Sequence, residues 1–353
     1  MAKHKNPSAR VREAAPRRSI SLSLLLVGTA VAVLLAPLAV LAATAADLIT
    51  GWRRKRFLRL VAMAASFLWY ELGGLLWALL LWFATGFGLL ARRPWSVEAH
   101  RRLQAWWASG LLQAMERTVG CEIFTIDLDL ASRPGPILVA GRHVSIGDAL
   151  LPSALISGTN GFIPRHVVKE GLAWDPCLDF VGHRMANYFV DREATSSGDE
   201  LRQIELLAHD ASANTALVIF PEGTFRSDTR HARAVAKLNG RDPELGAIAA
   251  TLDHLLPPRP GGTLALLDGC PDADVVLYAH TGFEQFSSFA AIVRNVPFRR
   301  PVHVRFWRFP RAAVPTGEAR TRWLFDRWQE LDQWITDVTA EPARLEGARP
   351  WPG

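Results

Sequence analysis

Cysteine is nearly absent from this chain of 353 residues: Cys121, Cys177 and Cys270 are its whole complement. Three scattered thiols make neither a disulfide framework nor a clustered metal site, so a reducing compartment is the simpler expectation. Internal repeats are missing too. Acidic residues are scarce at one end: residues 1–59 hold 11 Lys and Arg against only Glu13 and Asp47, whereas residues 60–353 carry a net charge of −3. The +6 of the whole chain therefore arises near its N-terminus, which suits anionic lipid headgroups and not nucleic acid. Charge of either sign is absent from residues 19–46, a run of 28. A helix crossing a bilayer needs only ~20 apolar residues.

What is abundant points the same way. Hydrophobic residues make up 49% of the chain, and seven of its 13 Trp fall between residues 52 and 107. A second apolar run, residues 60–91, is interrupted only by Glu71, and Trp52-Arg53-Arg54-Lys55-Arg56 between the runs has the composition of an interfacial anchor. The expectation is a basic tail over 1–18 and a membrane helical hairpin over 19–91. A cleaved signal peptide ending near Ala43-Thr44-Ala45 competes, but its apolar region is usually only ~7–15 residues. Six basic residues precede the first run, five separate the runs and four lie within 92–102. If both runs span, the first and third clusters share a side and place the catalytic region in the cytoplasm. A hairpin that dips into one leaflet would spare the middle cluster from the wrong side. Residues 92–118, with Trp106, Trp107, Leu111, Leu112 and Met115, read as an amphipathic helix, either interfacial or packed into the core.

From about residue 120 short apolar strands alternate with helices. Strands are expected at 122–130, 136–140, 165–168, 188–190, 216–220, 275–278 and 302–309, helices at 199–209 and 320–338, and a Pro- and Gly-rich loop at 257–262. That order predicts an α/β domain over 119–340, a mixed and largely buried sheet flanked by helices, with a C-terminal tail over 341–353. The polar clusters follow the strands. Residues 136–140 run into Arg142-His143, 165–168 into Lys169, 188–190 into Asp191-Arg192, and 216–220 into Pro221-Glu222-Gly223. Ligands gather at the carboxyl ends of strands in such sheets, so these clusters are expected to converge on one cleft.

Of ten histidines only His143 has an aspartate five positions on, Asp148. A hydroxyl must lose its proton to attack a thioester, and imidazole titrates near neutral pH. A carboxylate on the far ring nitrogen fixes the tautomer and steadies the imidazolium. A turn-capping histidine is the bland reading of the same spacing. Ser145 suggests a serine hydrolase instead, but no Gly-x-Ser-x-Gly elbow surrounds it.

His143-Val144-Ser145-Ile146-Gly147-Asp148 resembles the first motif of the lysophosphatidic acid acyltransferase family (1-acyl-sn-glycerol-3-phosphate acyltransferases). Phe189-Val190-Asp191-Arg192 resembles its second motif, and Phe220-Pro221-Glu222-Gly223-Thr224-Phe225-Arg226-Ser227 its third, in matching order and spacing. Residues 255–262 are similar to the long-chain lysophospholipid and lysocardiolipin branch. The resemblance covers roughly residues 95–340 and implies the glycerolipid acyltransferase fold. It implies a fatty acyl transfer to a lysophospholipid hydroxyl, with lysophosphatidic acid the favoured acceptor and another lysophospholipid the alternative. A non-enzymatic membrane scaffold is disfavoured because the expected catalytic residues are present. His143 would be the general base and Asp148 its orienting partner. Arg192, Glu222 and Gly223 would bind the glycerol phosphate, with Arg226 and Lys169 as further phosphate candidates or ordinary surface ion pairs. Backbone N–H groups after His143 are candidates for the oxyanion. No cofactor or metal is implied; the partners are membrane lipids, the lysophospholipid and a coenzyme A or acyl carrier protein thioester. The chain departs from the family in having Arg142 where Asn is common, and in lacking a proline within 275–280, for which Pro257 or Pro258 would serve.

Overall fold

The computed structural model describes residues 7–190, 198–340 and 345–353. Helix α1 (Pro7–Thr50) and helix α2 (Arg56–Ala84) form an antiparallel hairpin closed by a turn at 51–55. Both are long and apolar enough to cross a membrane. Helix α1 runs unbroken across residue 18, so Arg17 and Arg18 belong to it and not to a separate tail. Most of α1 faces outward, with Leu34 at 78% and Ile49 at 85% exposure. An apolar surface of that extent needs lipid or protein against it. The α2 N-terminus is capped from across the hairpin. Buried Asp47 accepts the Phe57 and Leu58 N–H groups, both at 3.0 Å, satisfying two of the donors a helix start leaves open.

Helix α3 (Pro94–Val119) begins on a proline and ends at Gly120, whose positive φ of 79° lets its N–H fold back to Met115. The sequence suggests an interfacial helix with a core-packed one as the alternative, and in the fold its apolar face packs inward. Leu103, Ala108, Leu111, Leu112 and Met115 are buried between α2 and the sheet. Strands β1 (Ile123–Ile126), β2 (Ile137–Gly141), β3 (Ile163–Lys169), β4 (Tyr188–Val190), β5 (Thr215–Ile219), β6 (Asp274–Thr281), β7 (Val302–Phe309) and β8 (Arg349–Pro350) make one sheet in the order β4-β3-β5-β2-β6-β7-β1-β8. From β4 to β6 neighbours are parallel; β7 is antiparallel to β6, and β8 to β1.

Successive residues of the central strands enter opposite cores, as a pleated strand buried on both faces requires. Ile137 and Val139 pack toward α2 and α3, whereas Leu138 and Ala140 face the other layer. That layer contains α5 (Gly198–Ala208), α8 (Pro260–Gly269) and α10 (Ala319–Ala340), following α4 (Pro176–Gly182) and preceding or flanking α6 (Asp228–Asn239), α7 (Pro243–Ala250) and α9 (Phe289–Asn295). Fully buried Trp328 of α10 donates to the Leu256 carbonyl at 2.9 Å.

Three expectations are corrected. Strand β1 stops at Ile126, because Asp127 turns the chain at a φ of 57° into a short 3-10 segment. Pro260 opens α8 instead of lying in a loop, since proline is favoured at a first helical position. The C-terminal residues end as an edge strand, β8, with Trp351 buried and its indole N–H on Thr159 at 3.2 Å.

Candidate active site

Strand β2 must end on glycine. A Cβ at Gly141 would lie 2.0 Å from the ring of Tyr278 on neighbouring β6. The chain then turns through Arg142 into a 3-10 segment at Gly147–Leu150, followed by the wide helical turns of Pro152–Thr159, not an ordinary α-helix. The tight turn brings His143 Nδ1 to 2.7 Å from Asp148 Oδ1. Its other oxygen accepts the N–H groups of Val144 at 2.6 Å and Ser145 at 2.8 Å. Those donors are thereby committed to Asp148, which removes them as oxyanion candidates. Burial by itself raises the Asp148 carboxyl, but the hydrogen bonds and charges of His143 and His280 outweigh it and bring it down to about 2. The His143 ring lies between Phe220 and Phe225, centroids 4.4 and 4.5 Å away, and remains partly open to solvent. With Nδ1 engaged, Nε2 is the nitrogen available to a substrate proton.

Sequence reasoning missed His280. It is wholly buried at the end of β6, with Nε2 3.4 Å from Asp148 Oδ2 and 3.3 Å from the Arg142 carbonyl. No spacing in the sequence marks it; only the parallel β2–β6 pairing brings it there. Arg142, the departure from the family's usual Asn, is a buried brace. Its guanidinium binds the carbonyls of His280 and His254 and the carboxylate of Glu284.

The expected phosphate-binding residues fare unequally. Glu222 does not face the cleft. It is buried, Oε1 accepting the His143 N–H at 2.7 Å and Oε2 the Leu256 N–H at 2.8 Å, so it ties the His143–Asp148 turn to the loop before α8. Burial pushes its carboxyl up to about 8 against the pull of those two N–H groups. Gly223 adopts a φ of 66°, and a Cβ there would approach the Arg259 guanidinium at 3.3 Å. Exposed Arg259 thus lies over the third motif, a second residue the sequence reading did not single out. Arg226 sits just beyond β5, paired at 2.9 Å with the exposed Asp228. Lys169 ends β3 opposite Val190 of β4, is exposed, and has no ion pair among the described residues. Arg192 lies outside the described residues. Ser145 is buried, its hydroxyl without a hydrogen bond among the described residues, which is poor placement for a hydrolase nucleophile.

Residues 123–257, from β1 to the loop before α8, match the family described as Acyltransferase. The mouse protein 1-acyl-sn-glycerol-3-phosphate acyltransferase epsilon is 25% identical over 253 residues, covering 68% of each chain. The chain thus carries an acyltransferase domain and is similar to the lysophosphatidic acid acyltransferases. Lysophosphatidylinositol acyltransferase 10 of Caenorhabditis elegans is 31% identical to this acyltransferase over 133 residues, 35% of this chain and 32% of that one. Among solved structures, the 1-acyl-sn-glycerophosphate acyltransferase PlsC of Thermotoga maritima aligns over 77% of this chain and 98% of its own, at 13% identity and a TM-score of 0.47.

Proposed function

We propose that the enzyme moves a fatty acyl group from a thioester to the free hydroxyl of 1-acyl-glycerol-3-phosphate, giving phosphatidic acid. The observation that carries the mechanism is the 2.7 Å contact between His143 and a fully buried, ionised Asp148. His143 Nε2 takes the hydroxyl proton as the acceptor oxygen bonds to the thioester carbonyl carbon. Asp148 stabilises the imidazolium that results. The tetrahedral adduct then collapses, the C–S bond breaks, and the proton passes to the departing thiolate. Phe220 and Phe225 shield the base from bulk water. Arg192, Arg226 and Lys169 bind the acceptor phosphate, with Arg259 beside Gly223 as an added donor; their place after β4, β5 and β3 supports this assignment. Glu222 serves by holding the His143 backbone.

The hairpin holds the enzyme to the membrane with its catalytic domain facing the cytoplasm, and it dips into one leaflet. Support comes from both ends of α2. Arg59 donates to the Thr118 carbonyl at 2.7 Å near its start, and Arg184 to the Ala78 carbonyl at 2.6 Å near its end. A turn on the far side of a bilayer would not lie beside the domain.

Acceptor choice tests the assignment. A phosphomonoester offers close to two charges and three oxygens to guanidinium forks, a choline phosphodiester only one charge. The enzyme should therefore show higher kcat/KM for lysophosphatidic acid than for lysophosphatidylcholine, and Arg192→Ala should shrink that ratio mainly through KM. Preference for the diester, or equal damage to both acceptors, would reassign the acceptor.

A further inference from the structure

The sheet edge that presents His143 carries a second basic site on its other flank. Strand β6 runs parallel to β2 and β7 antiparallel to β6, so the start of β7 lies at the same edge as the end of β2. Two strand steps, roughly 10 Å, separate them. There the segments after β6 and before β7 enclose, with the hairpin turn, a cavity of about 480 Å³. Its walls include Arg54, Arg294, Arg299 and Arg300, together with Glu284 and Gln285.

The charge in this cavity is unbalanced. Its one acid, Glu284, is committed to the Arg142 guanidinium through one oxygen and accepts the Gly282 N–H at 2.7 Å through the other. None of the four arginines has an ion pair among the described residues. Four exposed arginines lining one cavity whose single carboxylate is already engaged leave it with excess positive charge, which favours a bound polyanion. Arg54 comes from the hairpin and the other three from the domain, so the site exists only where the two pack together. Its size suits a small molecule, and it stands apart from Lys169 and Arg226 across the His143 strand.

We propose that this cavity binds an organic phosphate, held by Arg54, Arg294, Arg299 and Arg300. Two sources share that chemistry: the nucleotide phosphates of a coenzyme A thioester and the headgroup of an anionic lipid. A part for the site in acyl transfer rests on the function proposed above; the binding itself does not.

The test uses the full-length protein in detergent, comparing wild type with Arg299→Ala/Arg300→Ala and with Arg294→Glu. Binding of adenosine 3′,5′-bisphosphate and of dioctanoyl phosphatidic acid is measured by calorimetry, and KM for the thioester by steady-state kinetics. The substitutions should weaken one probe by at least about tenfold, the scale of a charge-assisted hydrogen bond, with kcat nearly unchanged. Loss of the bisphosphate with a parallel rise in thioester KM assigns the nucleotide; loss of the lipid probe with KM unchanged assigns the headgroup. Equal binding of both probes by wild type and variants, or no binding by the wild type, overturns the site. An active enzyme with arginine-independent binding leaves the acyltransferase function intact. Arginine-dependent binding by a protein inactive with every thioester leaves the site and removes the function.

Discussion

At the scale of single residues, Asp148 is the group on which the site turns. Four donors converge on its two oxygens, from His143, Val144, Ser145 and His280. Removing its charge leaves His143 free to adopt the wrong tautomer, so Asp148→Asn should lose acyl transfer by ~10²–10⁴-fold, close to the effect of losing the base. His280 touches Asp148 and not the cleft, which makes it a positioning residue. His280→Ala should lower kcat by about tenfold, the scale of one hydrogen bond to a charged group, with KM unchanged. His280→Asn, which can still donate, should recover part of that loss. A variant that melts earlier yet keeps wild-type kcat would reduce His280 to a packing role. The His143–Asp148 pair was legible because both members lie in one six-residue turn. His280 was not, because its part depends on a strand pairing 138 residues distant in sequence.

At the scale of elements, the strands were legible where apolar runs are short and bounded by turn residues. Strand β7 and β4 match their expected bounds, and β2 and β5 differ by a residue at each end. Helices α6, α7 and α8 were not read. Helix α6 buries no residue, so its pattern carries little apolar signal, and Pro260-Gly261-Gly262 has turn composition although it starts α8. The family resemblance implies a headgroup ligand at Glu222, whereas in the fold its two oxygens accept the His143 and Leu256 N–H groups and join two loops. Its folded value of about 8 lies above the ~4.3 of an exposed glutamate, so the folded state holds a proton that the unfolded chain has released. Stability should therefore fall as pH rises from ~4.3 toward that folded value. Glu222→Gln should flatten this dependence, read as urea midpoints across the interval, while costing ~1–3 kcal/mol because its amide cannot accept both N–H groups. A wild type whose midpoint is no more pH-sensitive than the variant's would contradict the placement. At the hairpin, Asp47→Ala should lower stability by ~0.5–2 kcal/mol through loss of the α2 cap, measured as thermal unfolding in detergent.

At the scale of the whole molecule, one sheet edge brings together the His143–Asp148 pair, basic residues on both flanks and an apolar hairpin packed along the domain. The hairpin was plain in the sequence as two apolar runs, whereas its packing against α3 and α4 was hidden, since nothing in the sequence pairs Gly73 with Trp106, Gly74 with Cys177 or Trp107 with Glu71. Carbonate and high-salt washes should leave the full-length protein in the membrane fraction, and its appearance in the soluble wash would remove the integral hairpin. The most direct measurement compares wild type and His143→Ala, purified in detergent, for phosphatidic acid formed from lysophosphatidic acid and an acyl thioester. Wild type should form product and His143→Ala should fall by ~10²–10⁴-fold while its circular dichroism and melting are unchanged. Near-wild-type turnover by a folded His143→Ala protein would contradict the account.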